Sequence, residues 1–139
     1  MKQDYAKALA LMAMERAGLD KWTFGFDDHP SRVSSVRMKR RHLTISTVAL
    51  SKLDDSEILG NFLHNVVHAV LESMDHDAAF TREAVHAGAT LTVRCLPLEA
   101  EYEAHCRCGK AFYRTKEPDP QYPSWFHEEC GRGAILTFN

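Results

Sequence analysis

Two histidines four positions apart, His64 and His68, sit in the run Leu63-His-Asn-Val-Val-His-Ala-Val-Leu71. On an α-helix that spacing offsets two side chains by about 40° around the axis and about 6 Å along it, so both project from one face and can grip one ion. Zinc takes imidazole nitrogen at about 2.0–2.1 Å and, in catalytic sites, uses three protein ligands and leaves one position open. A third ligand must come from outside the helix. His76 stands just past the helix's expected end, where the chain can fold back toward the pair. Glu72, one turn beyond His68, and Asp75 are the neighbouring carboxylates, placed either to orient a ligand histidine from behind or to stay solvated. Two unrelated histidines on a half-buried helix would be the plainer reading of such a pair. A turn-borne histidine and a second cluster downstream argue against it.

That second cluster is Cys106-Arg-Cys108-Gly109 with His127-Glu-Glu-Cys130-Gly131, two short ligand pairs each followed by glycine. A zinc ribbon is built from two such knuckles, the glycine letting the backbone turn its amides toward thiolate sulfur. Four protein ligands close the coordination sphere, so this site is read as structural. His105 is an alternative ligand beside Cys106, and Cys95, unpaired in this scheme, reads as a small core residue. Two zinc ions per chain are expected.

The elements that must position these groups follow from periodicity. A helix is expected from about Asp4 to Ala17, with Tyr5, Leu9 and Met12 on one face and Gly18 as its stop. Trp22, Phe24 and Phe26 alternate with polar or small residues as a core-facing strand. Val36 to Met38 and Leu43 to Ile45, with Lys39 to Arg41 between them, form a hairpin with each other, giving a three-stranded antiparallel sheet in all. Asp54 and Glu57 are spaced as an N-cap and its partner ahead of Ile58, Phe62, Val66 and Ala69, a stripe running to about Ser73. A further short helix spans Phe80 to Ala87. The tail changes character near Glu99, which divides the chain into a core, 1–98, and a metal-stapled extension, 99–139, packed together.

Composition narrows the function classes. The formal net charge of −2 gives no global pull toward nucleic acid or anionic membrane. Apolar runs fall short of the roughly 20 residues a membrane span needs. The opening MKQDYAKALA lacks a signal core, so a reducing, cytoplasmic setting is expected, where clustered Cys and His mean metal. The one dense basic run, Arg37, Lys39, Arg40 and Arg41, reads first as a solvated hairpin tip and second as a phosphate-contacting patch for DNA, with Tyr113, Tyr122 and Trp125 available to stack on bases. No glycine-rich phosphate loop and no nucleophile elbow is present.

Taken in order, Trp22-Thr-Phe-Gly-Phe-Asp27, Leu43-Thr-Ile-Ser46, Leu63 to Leu71 and His76-Asp-Ala-Ala-Phe80 resemble the SprT-like domains, a family that includes the DNA–protein crosslink protease Spartan and compact proteins of bacteria and phages. The resemblance covers nearly the whole chain and implies a zincin-like α+β metallopeptidase domain with a C-terminal zinc ribbon, acting on protein substrates. It also implies His64, His68 and His76 as zinc ligands. Two positions depart from the family pattern: Asp77 stands where glycine is usual, and Asn65 stands where H-E-x-x-H peptidases carry the glutamate that moves the proton. An amide can hold water but cannot take its proton, and a lost general base costs about 10²–10⁴ in rate. Native or introduced, Asn65 therefore implies a crippled hydrolase. The alternative is a pseudoenzyme that binds protein or DNA without cutting. Rescue of proton transfer by Glu72 is the remaining catalytic option.

Overall fold

The computed structural model describes residues 1–91, 102–114, 125–131 and 133–138. The longest helix, α3 (Asp55–Leu71), is the axle of the fold. Asp54 Oδ1 accepts from Glu57 N at 2.8 Å and opens the helix, as the spacing of the two predicts. Ten of its positions are buried, nearly all the way round, because other elements pack on several sides of it. Those are helix α1 (Gln3–Arg16), helix α4 (Ala78–Ala87) and a sheet of β1 (Thr23–Asp27), β2 (Ser34–Arg37) and β3 (His42–Ser46). Ile58, Phe62, Val66 and Ala69 form the predicted stripe and meet Leu43 and Ile45 of β3 in the main core. Trp22, Phe24 and Phe26 pack on this core half-buried, Phe24 edge-to-face with both Phe26 and Phe62.

The sheet is mixed, which corrects the expectation of antiparallel pairing throughout. Its order is β1-β3-β2, with β1 parallel and β2 antiparallel to β3. The most apolar strand takes the centre, Leu43 and Ile45 being almost wholly buried, and β2 is left as an edge. Residues 28–33 carry the chain past β3 to reach that edge. His29 Nδ1 accepts from the backbone N–H of Ser31 at 3.2 Å and of Arg32 at 3.0 Å, and Ser46 Oγ donates to His29 O at 2.7 Å. Ser46 also caps a short helix, α2 (Thr47–Lys52), that periodicity did not predict.

The buried face of α1 also differs from expectation. Ala6, Ala10 and Met14 face the core, while Tyr5 and Met12 are about half exposed. A stripe of mostly small side chains lets α1 lie close against α3, and the large residues turn outward. Helix α4 matches its expected span, with Asp77 as N-cap: its Oδ1 accepts from Phe80 N at 3.0 Å. Asp77 thus has a local role as the cap of α4.

The tail holds two antiparallel pairs, β4 (Tyr102–His105) with β5 (Ala111–Arg114) and β6 (Trp125–Phe126) with β7 (Ile135–Leu136). Ala104, Cys106, Phe112, Ala134 and Leu136 make its small core. The expected boundary near residue 98, Cys95 and Tyr122 lie outside the described residues. Among the described residues no helix is long and apolar enough to cross a membrane.

Candidate metal centre

His64 and His68 leave α3 on one face, and the end of the helix brings His76 back to them. Glu72 caps α3 in the left-handed conformation, φ 50°, and Ser73 N donates to His68 O at 3.2 Å. The chain therefore reverses within two residues of Leu71. The three Nε2 atoms form a nearly equilateral triangle with edges of 3.1, 3.1 and 3.2 Å.

Backbone carbonyls fix the rings. His64 Nδ1 lies 2.7 Å from Thr90 O, and His68 Nδ1 lies 2.8 Å from Ser73 O. A carbonyl only accepts, so each Nδ1 carries the hydrogen and each Nε2 is a bare lone pair. Two such lone pairs 3.1 Å apart repel unless a cation lies between them. Nitrogens on one tetrahedral zinc at about 2.0–2.1 Å stand about 3.3 Å apart, close to the edges of the triangle. The donor set therefore fits a zinc ion held by three histidines with one open position. Burial lowers the His64 imidazole from 6.5 to about 4; His68 and His76 add to this, against the raising effect of the Thr90 carbonyl. His68 is lowered for the same first reason, burial. Both rings are thus neutral and ready to ligate near pH 7.

Phe80, from the first turn of α4, packs against all three rings at 4.6–4.9 Å between centroids and lies nearly parallel to His68. Sequence reasoning assigned it no part in the site. Its signal was its place in the first turn behind the Asp77 cap, four residues after His76. Glu72 and Asp75, read as partners for the ligand histidines, do not orient His64 or His68. Both carboxylates are exposed, Glu72 having left the helical path, and main-chain carbonyls take the Nδ1 hydrogens instead.

Asn65 is buried beside the triad and its Nδ2 donates to Ser34 Oγ at 3.0 Å; Ser34 Oγ in turn donates to Thr44 O at 2.7 Å. All of this opens on a cleft of about 530 Å³ lined by the triad, Asn65, residues 31–36 leading into and along the edge strand β2, and Tyr113 of β5. A larger apolar groove, about 760 Å³, runs between α1, α3 and α4, but it contains none of the triad and is not where the chemistry gathers.

In the tail, Cys106, Cys108, His127 and Cys130 place their ligand atoms within 4.8 Å of one another. His127 Nδ1 is 3.3 Å from Cys106 Sγ and 3.5 Å from Cys108 Sγ, the spacing that sulfur and nitrogen take on a shared tetrahedral ion. Among the described residues His127 Nε2, which is buried, has no hydrogen-bond partner, and Glu129 Oε2 lies 3.6 Å from it. The Lys110 amide lowers the Cys108 thiol, while hydrogen bonding to Cys108 pushes Cys130 up to about 11. Crowded thiols without a cation cannot all ionise. His105 turns away to Glu103 at 2.8 Å and is exposed, so it is not part of this cluster. Arg37, Lys39, Arg40 and Arg41 are exposed around the β2–β3 turn, Tyr113 faces the cleft, and the side chain of Trp125 lies outside the described residues.

Comparison with solved structures gives the class of fold. The chain is similar to the crystal structure of the metallopeptidase zymogen of Methanocaldococcus jannaschii jannalysin, with a TM-score of 0.53 and 15% identity over 58% of this chain and 78% of that one. It is also similar to that of Pyrococcus abyssi abylysin, a metallopeptidase zymogen as well, with a TM-score of 0.48 and 20% identity over 56% and 74%. The first likeness shows a zincin-like minimal metallopeptidase fold. No protein-family model and no curated protein matches the chain.

Proposed function

We propose that this chain is a SprT-like zinc protein whose cleft receives an extended protein segment and, lacking a general base, holds it without cutting it. The observation that carries the reading is the triangle of three Nε2 atoms, those of His64 and His68 bare, beside a buried asparagine whose amide is tied to Ser34. His64, His68 and His76 would hold zinc at the cleft, and Cys106, Cys108, His127 and Cys130 a second, structural zinc. Zinc at the triad would supply Lewis acidity to a carbonyl oxygen or to water. The other roles fall to the chain's own residues. The edge strand β2 offers main-chain groups along the cleft to an extended segment. Asn65 can donate or accept a hydrogen bond there but cannot carry a proton away. The exposed basic run from Arg37 to Arg41 adjoins that strand and would hold DNA close to the cleft.

Zinc-loaded protein mixed with an unfolded polypeptide should retain it without producing fragments, and chelation should release it. Brisk cleavage would show that another base works in the site. Retention that ignores zinc would place binding elsewhere on the molecule. A salt-dependent affinity for double-stranded DNA, lost when Lys39 and Arg40 are changed to Glu, checks the basic run.

A further inference from the structure

Gly60 is the one glycine of α3, in a helix interior where glycine is less favourable than alanine. Its place is explained by Thr90. A Cβ added at Gly60 would meet Thr90 Cγ2 at 2.6 Å, too close for any real contact, whereas Thr90 N and Cβ would lie at an ordinary 3.7 and 3.8 Å. Thr90 N donates to Gly60 O at 3.1 Å, and Thr90 O accepts from His64 Nδ1 at 2.7 Å. One residue thus clamps α3 at Gly60 and, one turn on, the ring of His64. The approach of Thr90 is fixed in its turn by Gly88, at φ 74°, after which Ala89 N donates back to Ala84 O at 2.9 Å. Thr90 Oγ1 is buried with no hydrogen-bond partner among the described residues, so the hydroxyl is not what this residue contributes to the site. Its backbone is.

We propose that Gly60 and Thr90 are positioning residues for the metal centre: the missing Cβ lets the Thr90 carbonyl reach His64 Nδ1, which fixes the tautomer that leaves Nε2 bare for the ion. The inference rests on His64 being a zinc ligand and adds what makes it one. Loss of such a partner typically lowers metal affinity about 10-fold to 100-fold.

The test is a zinc competition titration against a chromophoric chelator on the full chain. Cobalt substitution separates the two sites, since only the thiolate-bearing one gives sulfur charge-transfer bands. Gly60→Ala should weaken the histidine site by about 10-fold to 100-fold and leave the other unchanged. Helix propensity alone predicts a firmer α3 and no loss. Thr90→Ala, which removes Cγ2 and keeps the carbonyl, sets the reference affinity, and the double variant Gly60→Ala, Thr90→Ala should recover it. Unchanged binding in Gly60→Ala, or a double variant no better than the single, overturns the inference. Should Gly60→Ala not fold, recovery of fold and zinc binding in the double variant still supports the clamp. Should neither fold, nitrogen-15 spectra of the unaltered zinc-loaded protein decide: His64 protonated at Nδ1 supports the inference, and at Nε2 overturns it. An unaltered chain that takes no zinc at the triad removes the metal reading itself, before any variant is made.

Discussion

Asn65 sits where a proton acceptor would have to stand, and its surroundings state what it does instead. Its Nδ2 hydrogen goes to Ser34 Oγ, whose own hydrogen is spent on Thr44 O. A carboxylate at this position has no hydrogen to offer Ser34. Asn65→Glu would give up one buried contact, about 1 kcal/mol, and free a longer, charged side chain to turn toward the triad. Peptidase activity on an unfolded substrate should rise by about 10²-fold or more. Asn65→Asp, one methylene shorter, should gain much less. Equal gains, or none from either with zinc still bound, would mean that the cleft no longer presents a scissile bond. A second prediction concerns the histidines. In the metal-free fold His64 titrates at about 4 rather than 6.5, and His68 is also lowered, so between these values the unfolded chain binds more protons than the folded one. Stability should therefore be full above about pH 6.5 and fall as the pH drops toward 4. Thermal midpoints of chelated protein across that range check the sign; a flat profile would show that burial does not suppress these charges.

At the level of elements, what was legible in the sequence is what side chains write locally. The Asp54 cap, the α3 stripe and the histidine spacing each depend on residues a turn or two apart, and each stands in the structure as read. The order of the sheet does not, because strand pairing is a non-local choice among similar short runs. The buried face of α1 was misread because large side chains were weighed above the alanines that allow close approach. Most hidden of all were the main-chain partners of the site, the carbonyls of Ser73 and Thr90, since a carbonyl carries no residue signature. Glu72 combines the two cases. Read as a continuation of the helix, it is a left-handed cap without glycine, a conformation that costs an L-residue about 1–2 kcal/mol. Glu72→Gly should relieve that strain and, after glycine's own entropy cost, stabilise the protein by roughly 0.5–1 kcal/mol in denaturant titration. Zinc affinity should not change, because the Ser73 carbonyl is retained. A weaker histidine site in this variant would restore the carboxylate to a role at the metal.

On the scale of the whole molecule the tail has a much smaller core of its own. Among the described residues, its two strand pairs and five buried apolar side chains offset little of the entropy of ordering them, because two-stranded ribbons are marginal in water. The cluster of three thiols and His127 is where the missing energy would come from, since ions at such sites drive the folding of small domains. The consequence reaches the cleft through Tyr113 of β5, which lines it. Cys130→Ala should open the tail to proteolysis while α3 and the sheet keep their far-ultraviolet signal. It should also lower zinc content by about one equivalent. Retention of an unfolded polypeptide should weaken in the same variant, because one wall of the cleft goes with the tail. Tyr113→Ala separates the two effects: it removes the wall's side chain without touching a thiol, so it should weaken retention with zinc content unchanged. If Cys130→Ala leaves the tail's cleavage pattern unchanged, the closed metal site is not what folds it. If the tail opens and retention is untouched, the cleft belongs to the helical core alone.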